Sequence, residues 1–225
     1  GTPSILFSTF ETVGLLTANG VVVGQLNTIP IVNVDSLNGF VDSLSITGGL
    51  ARGCIVNYGN GTLGNMPVAA SIVNCTTLNI NDQSATTSTT WEIDADSIDR
   101  TTSSQTINYA GVSAVVLNCG SGNDTVSVDA TPAGTALTVN AGNGVDRFTL
   151  GNGNIDADFG GPVALIGGAN SNFLTINNAT DASAESQSIS NSAFVDGFTH
   201  TFSGLTSLTY NGGPGGTNLS VSSAS

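Results

Sequence analysis

Two stretches of the chain repeat each other, and they decide the expected fold. The first is Leu117-Asn-Cys-Gly-Ser-Gly-Asn-Asp-Thr-Val-Ser-Val128, and 22 residues later comes Val139-Asn-Ala-Gly-Asn-Gly-Val-Asp-Arg-Phe-Thr-Leu150. Both alternate apolar and polar residues on either side of a glycine-rich centre, as expected of a strand, a turn and a second strand. Weaker copies occupy residues 165–176 and 210–221. This repeat predicts an all-β chain that winds as a parallel β-helix (β-solenoid) with coils of about 22 residues.

The composition favours strands over helices. The chain has 225 residues, of which 39% are hydrophobic and 8% charged, and it contains no lysine. Strong helix formers are therefore scarce, whereas the strand formers Val, Ile, Thr and Phe are common. A β-sandwich is the alternative architecture, but it favours hairpin turns and strands of varying length. We expect one solenoid domain over residues 1–225, with irregular or divergent coils in residues 1–87 and clearer repeats in residues 88–225.

The excess of acidic residues limits the possible partners of the chain, and the length of its apolar runs limits its possible locations. Sixteen acidic residues stand against three arginines, which gives a formal net charge of −13. Binding to nucleic acid requires clusters of basic residues, so this class of function is excluded. No apolar run reaches the roughly 18 residues of a transmembrane helix, and no signal peptide is present. We therefore expect a mature secreted protein, located outside the cell or on its surface and without membrane insertion.

The three cysteines are spaced by the same repeat. Cys54, Cys75 and Cys119 are separated by 21 and 44 residues, which is one and two periods, so we expect them at one position of the coil. Two interpretations remain open. Each cysteine is a small, inward-facing corner residue with a free thiol, or Cys54 and Cys75 form a disulfide between adjacent coils, whose stacked Cα atoms lie about 5 Å apart.

A family resemblance rests on the turn sequences. Gly120-Ser-Gly-Asn-Asp-Thr-Val126 resembles the glycine- and aspartate-rich turn of haemolysin-type (RTX-like) calcium-binding repeats, and residues 141–148 are similar to it. The wider phrase from Trp91 to Asp124 resembles repeats of very large secreted bacterial surface proteins. The resemblance covers roughly residues 88–221 and implies secretion, a solenoid fold and a role in surface structure or adhesion. The chain departs from the family because it has one such turn per long coil instead of tandem nine-residue repeats, and because Asn172 and Thr217 replace the aspartate in the later copies.

Calcium is the candidate ion, although the fold is expected to require no cofactor. Asp124 and Asp146 are expected to stack on successive coils, where their carboxylates and nearby glycine carbonyls offer hard oxygen ligands. The alternative is a solvated turn in which each aspartate side chain bonds its own backbone. Asp156 and Asp158 are weighed in the same way, as cation ligands or as an ordinary acidic surface.

Catalytic signatures are scarce. The sequence has no nucleophile elbow, phosphate loop or zinc-spaced Cys/His set, and we do not expect an enzyme. We interpret the single histidine, His200 within Phe198-Thr-His-Thr-Phe202, as an isolated residue pointing outward from a strand. A polysaccharide-degrading β-helix enzyme that uses paired carboxylates remains a minor alternative. The aromatic residues that form either a sugar-stacking platform or part of the core are Tyr58, Trp91, Tyr109 and Tyr210.

The expected function is therefore structural. A solenoid without caps exposes strand edges at both ends, and the sequence shows no capping segment. We expect a subunit that self-assembles into a cell-surface filament or layer, a homopolymer joined by head-to-tail or strand-addition contacts. The expected contact residues are Ile5, Leu6, Phe7 and Phe10 at one end and Leu219 and Val221 at the other. The alternative from another class is an adhesin module that binds calcium or glycans.

Overall fold

The computed structural model describes residues 5–7, 12–13, 21–23, 29, 31–35, 43–49 and 53–222. The strands before the first long insertion are β1 (Ile5–Phe7), β2 (Thr12–Val13), β3 (Val21–Val23), β4 (Ile31–Val34), β5 (Ser43–Thr47), β6 (Ile55–Tyr58), β7 (Ala69–Val73) and β8 (Thr77–Asn81). Those of the middle are β9 (Thr90–Ile93), β10 (Ser97–Arg100), β11 (Gln105–Ala110), β12 (Ala114–Asn118), β13 (Thr125–Val128), β14 (Ala136–Asn140) and β15 (Arg147–Leu150). The last are β16 (Val163–Ile166), β17 (Phe173–Asn177), β18 (Ser186–Ile189), β19 (Ala193–Asp196), β20 (Phe198–Ser203), β21 (Ser207–Asn211) and β22 (Asn218–Val221).

In the described part of the chain, helical structure is confined to short connections between strands. A 3-10 turn spans Thr101–Ser103, and one helix, α1 (Ile155–Asp158), follows β15. The side chain of Asn154 caps α1 by accepting a hydrogen bond from the Ala157 amide. The all-β class expected from the sequence is confirmed. None of the described helices has the length and apolar character that a membrane crossing demands.

The strands form two sheets of eleven strands each. The first sheet has the order β1-β3-β5-β7-β11-β10-β9-β13-β15-β17-β21, and the second has the order β2-β4-β6-β8-β12-β14-β16-β20-β19-β18-β22. Outside two insertions, the chain passes from one sheet to the other at every corner, and neighbouring strands are parallel. In the second sheet Leu117 lies beside Val139, and Val139 lies beside Leu165. The first three copies of the repeat therefore stack in register.

Each sheet contains one antiparallel triplet. The first triplet, β9-β10-β11, lies between β7 and β13 of the first sheet, and the second triplet, β18-β19-β20, lies between β16 and β22 of the second sheet. Each triplet adds two strands to one sheet only, so the two insertions compensate and the strand counts are equal. The second triplet also moves the fourth copy of the repeat, residues 210–221, to the opposite corner, because that copy begins on β21 of the first sheet.

Alternation along the strands builds the interior. In β14, Leu137 and Val139 are buried while their neighbours are half-buried or exposed, as the two-residue period of a strand requires. Side chains from both sheets join one hydrophobic core cluster that extends from Val32 to Phe202. At a corner, Gly142 has a φ of +88°, and a Cβ there would lie 2.1 Å from the Gly120 carbonyl oxygen. Only glycine fits where successive corners approach this closely.

Candidate functional site

β21 and β22 are the last strands at one end of the two sheets, and no other described strand covers them. β21 pairs only with β17, and β22 pairs only with β18, so each strand has one free edge. Leu219 is 36% exposed and Val221 is 72% exposed, while Leu208 and Tyr210 are only partly buried against the core. A free edge presents unpaired backbone N–H and C=O groups, and apolar side chains beside it favour the addition of another strand. This surface is called the β21–β22 edge below.

The opposite end of the sheets carries the other expected contact residues. Ile5, Leu6 and Phe7 form β1, which pairs in parallel with β3. The neighbouring strand β2 pairs in parallel with β4. Phe10 lies outside the described residues. Of the expected contact residues, Ile5, Leu6 and Phe7 therefore lie on the last described strand at one end, and Leu219 and Val221 lie on the last described strand at the other.

Asp124 and Asp146 lie in stacked corners and are almost fully buried. Asp124 Oδ1 accepts a hydrogen bond from the Thr89 amide at 2.8 Å, and Asp146 Oδ1 accepts one from the Asp124 amide at 2.9 Å. Asn172 continues this ladder, because its Oδ1 accepts a hydrogen bond from the Asp146 amide at 2.8 Å. The Oδ1 atom of each side chain therefore bonds the backbone of a neighbouring corner, and Asn172 Nδ2 also donates to its own turn, at the carbonyl oxygens of Gly167 and Asn170. The fourth expected member, Thr217, lies at the opposite corner of the sheets.

The surroundings of this ladder favour the neutral, protonated form of the two aspartates over the ionised form. The Oδ2 atoms of Asp124 and Asp146 are buried and accept no hydrogen bond from the part of the chain that the structure describes. Burial raises the pKa of Asp124 to about 6, and the charge of Asp146 adds to the effect. Burial also raises the pKa of Asp146. Within the described ranges, no third His, Cys, Asp or Glu ligand converges with these two carboxylates. The geometry fits a structural ladder that tolerates either a carboxyl or an amide side chain.

The cysteines occupy two different corners. Cys54 and Cys75 form a disulfide, with Cα atoms 4.2 Å apart, at the corner where the chain leaves the first sheet. Cys119 is buried with a free thiol, but it follows β12 and lies where the chain leaves the second sheet. The expectation that all three share one coil position is therefore wrong for Cys119. The reason is the first triplet, which uses part of the 44 residues between Cys75 and Cys119.

The interpretation of His200 as an outward-pointing residue is also wrong. His200 is 1% exposed, and its ring packs between Phe159 and Phe194, with ring centroids 5.1 Å and 6.1 Å away. Its Nδ1 accepts a hydrogen bond from the Val163 amide at 3.3 Å, and burial lowers its pKa to about 4. Residues two positions apart share a face of a strand, so the buried ring of Phe202 places His200 inside as well.

Most of the aromatic residues that could stack on sugars lie in the core. Tyr58, Trp91 and Tyr109 are at most 3% exposed. Tyr210 is partly buried, and its hydroxyl donates a hydrogen bond to Gln187 Oε1. Three of the four rings therefore have no face on the surface.

One cluster of carboxylates was only partly apparent in the sequence. Oxygen atoms of Asp156, Glu185 and Asp196 lie within 4.8 Å of one another. Asp156 belongs to α1, Glu185 immediately precedes β18, and Asp196 ends β19. The sequence indicated Asp156 as a candidate ligand but not its partners, because they come from the second triplet. Asp158, the other candidate, does not join this carboxylate cluster.

Comparison of the chain with protein-family models, curated proteins and solved structures found no match. The resemblance of residues 120–126 and 141–148 to haemolysin-type turns therefore stays a prediction.

Proposed function

We propose that this chain is an extracellular structural protein that assembles with copies of itself into a cell-surface filament or layer. The observation that carries the proposal is the β21–β22 edge, where Leu219 and Val221 are exposed beside two strands that pair on one side only. The role is non-enzymatic, because it depends on pairing of strand edges and on apolar contact.

The fold proposed for this subunit is a β-solenoid in which the two sheets are the two faces of one winding chain. Alternation of the chain between the sheets and the 22-residue register support it. Asparagine side chains support it as well, because Asn118 Nδ2 donates to Asn81 Oδ1 at 3.1 Å and Asn140 Nδ2 donates to Asn118 Oδ1 at 2.7 Å. Such amide ladders connect strands that stack one above another, and they extend the backbone ladder with side-chain hydrogen bonds.

The partner of the β21–β22 edge is the β1–β2 end of a second copy. The outermost strands at both ends pair in parallel with their inner neighbours. β1 and β21 terminate the same sheet, and β2 and β22 terminate the other, so two copies can continue both sheets at once. Two different surfaces meet in such a contact, and it propagates into a filament unless rotation closes it into a ring. Addition of one strand from a neighbour is the smaller version of the same contact.

The disulfide supports the proposed location. Cys54 and Cys75 form a disulfide between neighbouring corners. Disulfides persist in oxidising compartments and are rare in reducing ones. An extracellular environment is therefore the simplest setting for this fold.

The test compares association of the wild-type chain with that of an edge variant carrying Leu219→Lys and Val221→Lys. Charges on a free edge oppose strand pairing, so the edge variant should be monomeric in light scattering under conditions where the wild type forms concentration-dependent oligomers. The matched control is Val68→Lys, because Val68 is 57% exposed but lies away from both ends of the sheets. A wild-type chain that stays monomeric at high concentration, with and without calcium, contradicts the structural role.

An adhesin module is the second candidate, and the carboxylate cluster of Asp156, Glu185 and Asp196 favours it. In an adhesin, calcium binding would accompany a monomeric state. The light-scattering experiment therefore separates the two candidates directly.

A further inference from the structure

The carboxylate cluster of Asp156, Glu185 and Asp196 has no cationic partner among the described residues. The chain contains no lysine, and Arg52 lies outside the described ranges. The guanidinium of Arg100 pairs with Asp82 at 2.9 Å, and that of Arg147 lies over the ring of Phe173, 4.8 Å from its centroid. His200, on the adjacent strand β20, is held between aromatic rings with a pKa near 4 and supplies no charge at neutral pH.

The two antiparallel triplets differ in the sign of the charge that their middle strand brings to a neighbouring carboxylate. β10 and β19 are the middle strands of their triplets, and each ends in a charged residue, Arg100 in the first and Asp196 in the second. In the first triplet Arg100 neutralises the buried carboxylate of Asp82. In the second triplet the corresponding strand end brings another carboxylate to Asp156 and Glu185. The positive charge that balances the first triplet is therefore missing from the second.

Two carboxylates of this cluster each have an oxygen atom that accepts no hydrogen bond from the described residues. Asp196 is only 6% exposed, and its Oδ2 accepts a hydrogen bond from Gln187 Nε2 at 2.7 Å, while its Oδ1 receives none from the described residues. Glu185 Oε1 is buried and likewise accepts no hydrogen bond. Buried polar atoms in native proteins are almost always satisfied, and the free Glu185 oxygen differs from those of Asp124 and Asp146 because it belongs to a group of three converging carboxylates that one cation can satisfy.

Neighbouring side chains hold the carboxylates in place. Gln187 Nε2 donates to both Glu185 Oε2 and Asp196 Oδ2, and the Tyr210 hydroxyl donates to Gln187 Oε1. Asn178 Nδ2 donates to Glu185 Oε2 at 3.4 Å and to Asp181 Oδ2 at 3.1 Å. These contacts occupy Glu185 Oε2 and Asp196 Oδ2 and leave the other oxygen of each of these two carboxylates without a hydrogen bond from the described residues. This is the arrangement in which outer groups orient the ligands of a metal ion.

We propose that Asp156, Glu185 and Asp196 bind a hard divalent cation such as calcium, which replaces in the second triplet the charge that Arg100 supplies in the first. Calcium binds oxygen atoms at about 2.3–2.6 Å, so two ligands of one ion lie up to about 5 Å apart, and the cluster meets this limit. Asp156 is exposed, which leaves a path for the ion and room for water ligands. This site is separate from Asp124 and Asp146, and it does not depend on the proposed self-assembly.

The test is calorimetric titration of the chelator-treated full chain with calcium. We expect one site per chain, and binding at least tenfold weaker in Asp156→Asn and in Glu185→Gln. Asp156→Asn is the decisive variant, because an exposed side chain can be changed without loss of the fold. The matched control is Asp96→Asn, an exposed carboxylate elsewhere on the same chain, which should bind calcium within twofold of the wild type. Circular dichroism verifies the fold of every variant.

Two results would overturn this assignment. The first is a folded wild-type chain that binds no calcium at millimolar concentration. The second is retained affinity in Asp156→Asn and Glu185→Gln together with its loss in Asp146→Asn, which would move the ion to the corner ladder. Neither result bears on light scattering of the wild type, so the proposed assembly stands or falls separately.

Discussion

At the scale of single residues, the ladder of Asp124, Asp146 and Asn172 shows how one corner position accepts either a carboxyl or an amide. Asp124→Asn keeps the Oδ1 acceptor for the Thr89 amide and removes a buried charge. We expect this substitution to raise the free energy of unfolding at pH 7 by about 1–2 kcal/mol, since one pKa unit corresponds to about 1.4 kcal/mol and water near the corner reduces the effect. Thermal melts of the variant and of the exposed control Asp96→Asn check the direction.

The same residue predicts a pH dependence. Burial raises the pKa of Asp124 from 3.8 to about 6, so the folded state binds a proton more tightly than the unfolded state. The stability that this group contributes is therefore fully present below about pH 4 and is lost as the pH rises through 6. The stability difference between Asp124→Asn and the wild type should be small at pH 4 and reach its full size at pH 7. An equal difference at both pH values would show that folding does not shift the pKa of this carboxyl.

At the scale of elements, the corners set how closely successive strands stack. Gly142 and Gly134 both have positive φ, at +88° and +79°, but they differ in their surroundings. A Cβ at Gly142 would lie 2.1 Å from the Gly120 carbonyl oxygen, whereas a Cβ at Gly134 would have no atom within 4 Å. We expect Gly142→Ala to cost about 3 kcal/mol or more and Gly134→Ala about 1 kcal/mol, because only the first combines backbone strain with a backbone clash. Denaturant unfolding measures both values, and equal costs would show that the corners separate easily.

At the scale of the whole molecule, the net charge of −13 opposes the proposed contact between copies. Salt shortens the screening length from about 10 Å at 0.1 M to about 3 Å at 1 M, so it should strengthen an association held by strand pairing and apolar side chains. Sedimentation of the wild type should show larger species at 1 M sodium chloride than at 0.05 M. The variant with Leu219→Lys and Val221→Lys should remain monomeric at both concentrations. Dissociation of wild-type oligomers by salt would instead indicate that ion pairs hold the copies together.

The all-β class and the stacking of neighbouring repeats follow from the amino-acid sequence alone. Alternation of apolar residues sets which side of a strand is buried, and this is a local property. The 22-residue spacing sets which strands lie side by side, so it is sufficient to predict the pairing of Leu117 with Val139. The proximity of Cys54 and Cys75 follows from the same spacing, because they are separated by about one coil.

The sheet that each inserted strand joins is settled only by tertiary packing. The two triplets reverse the chain locally, and a reversal depends on which free edges are available when the strands pair, which is not a local property. This non-local choice sends Cys119 to the corner opposite Cys75 and brings Glu185 and Asp196 to Asp156. The position of His200 is different, because the strand period already places it on the face of Phe202. That face of the strand packs between the two sheets, so His200 lies in the core.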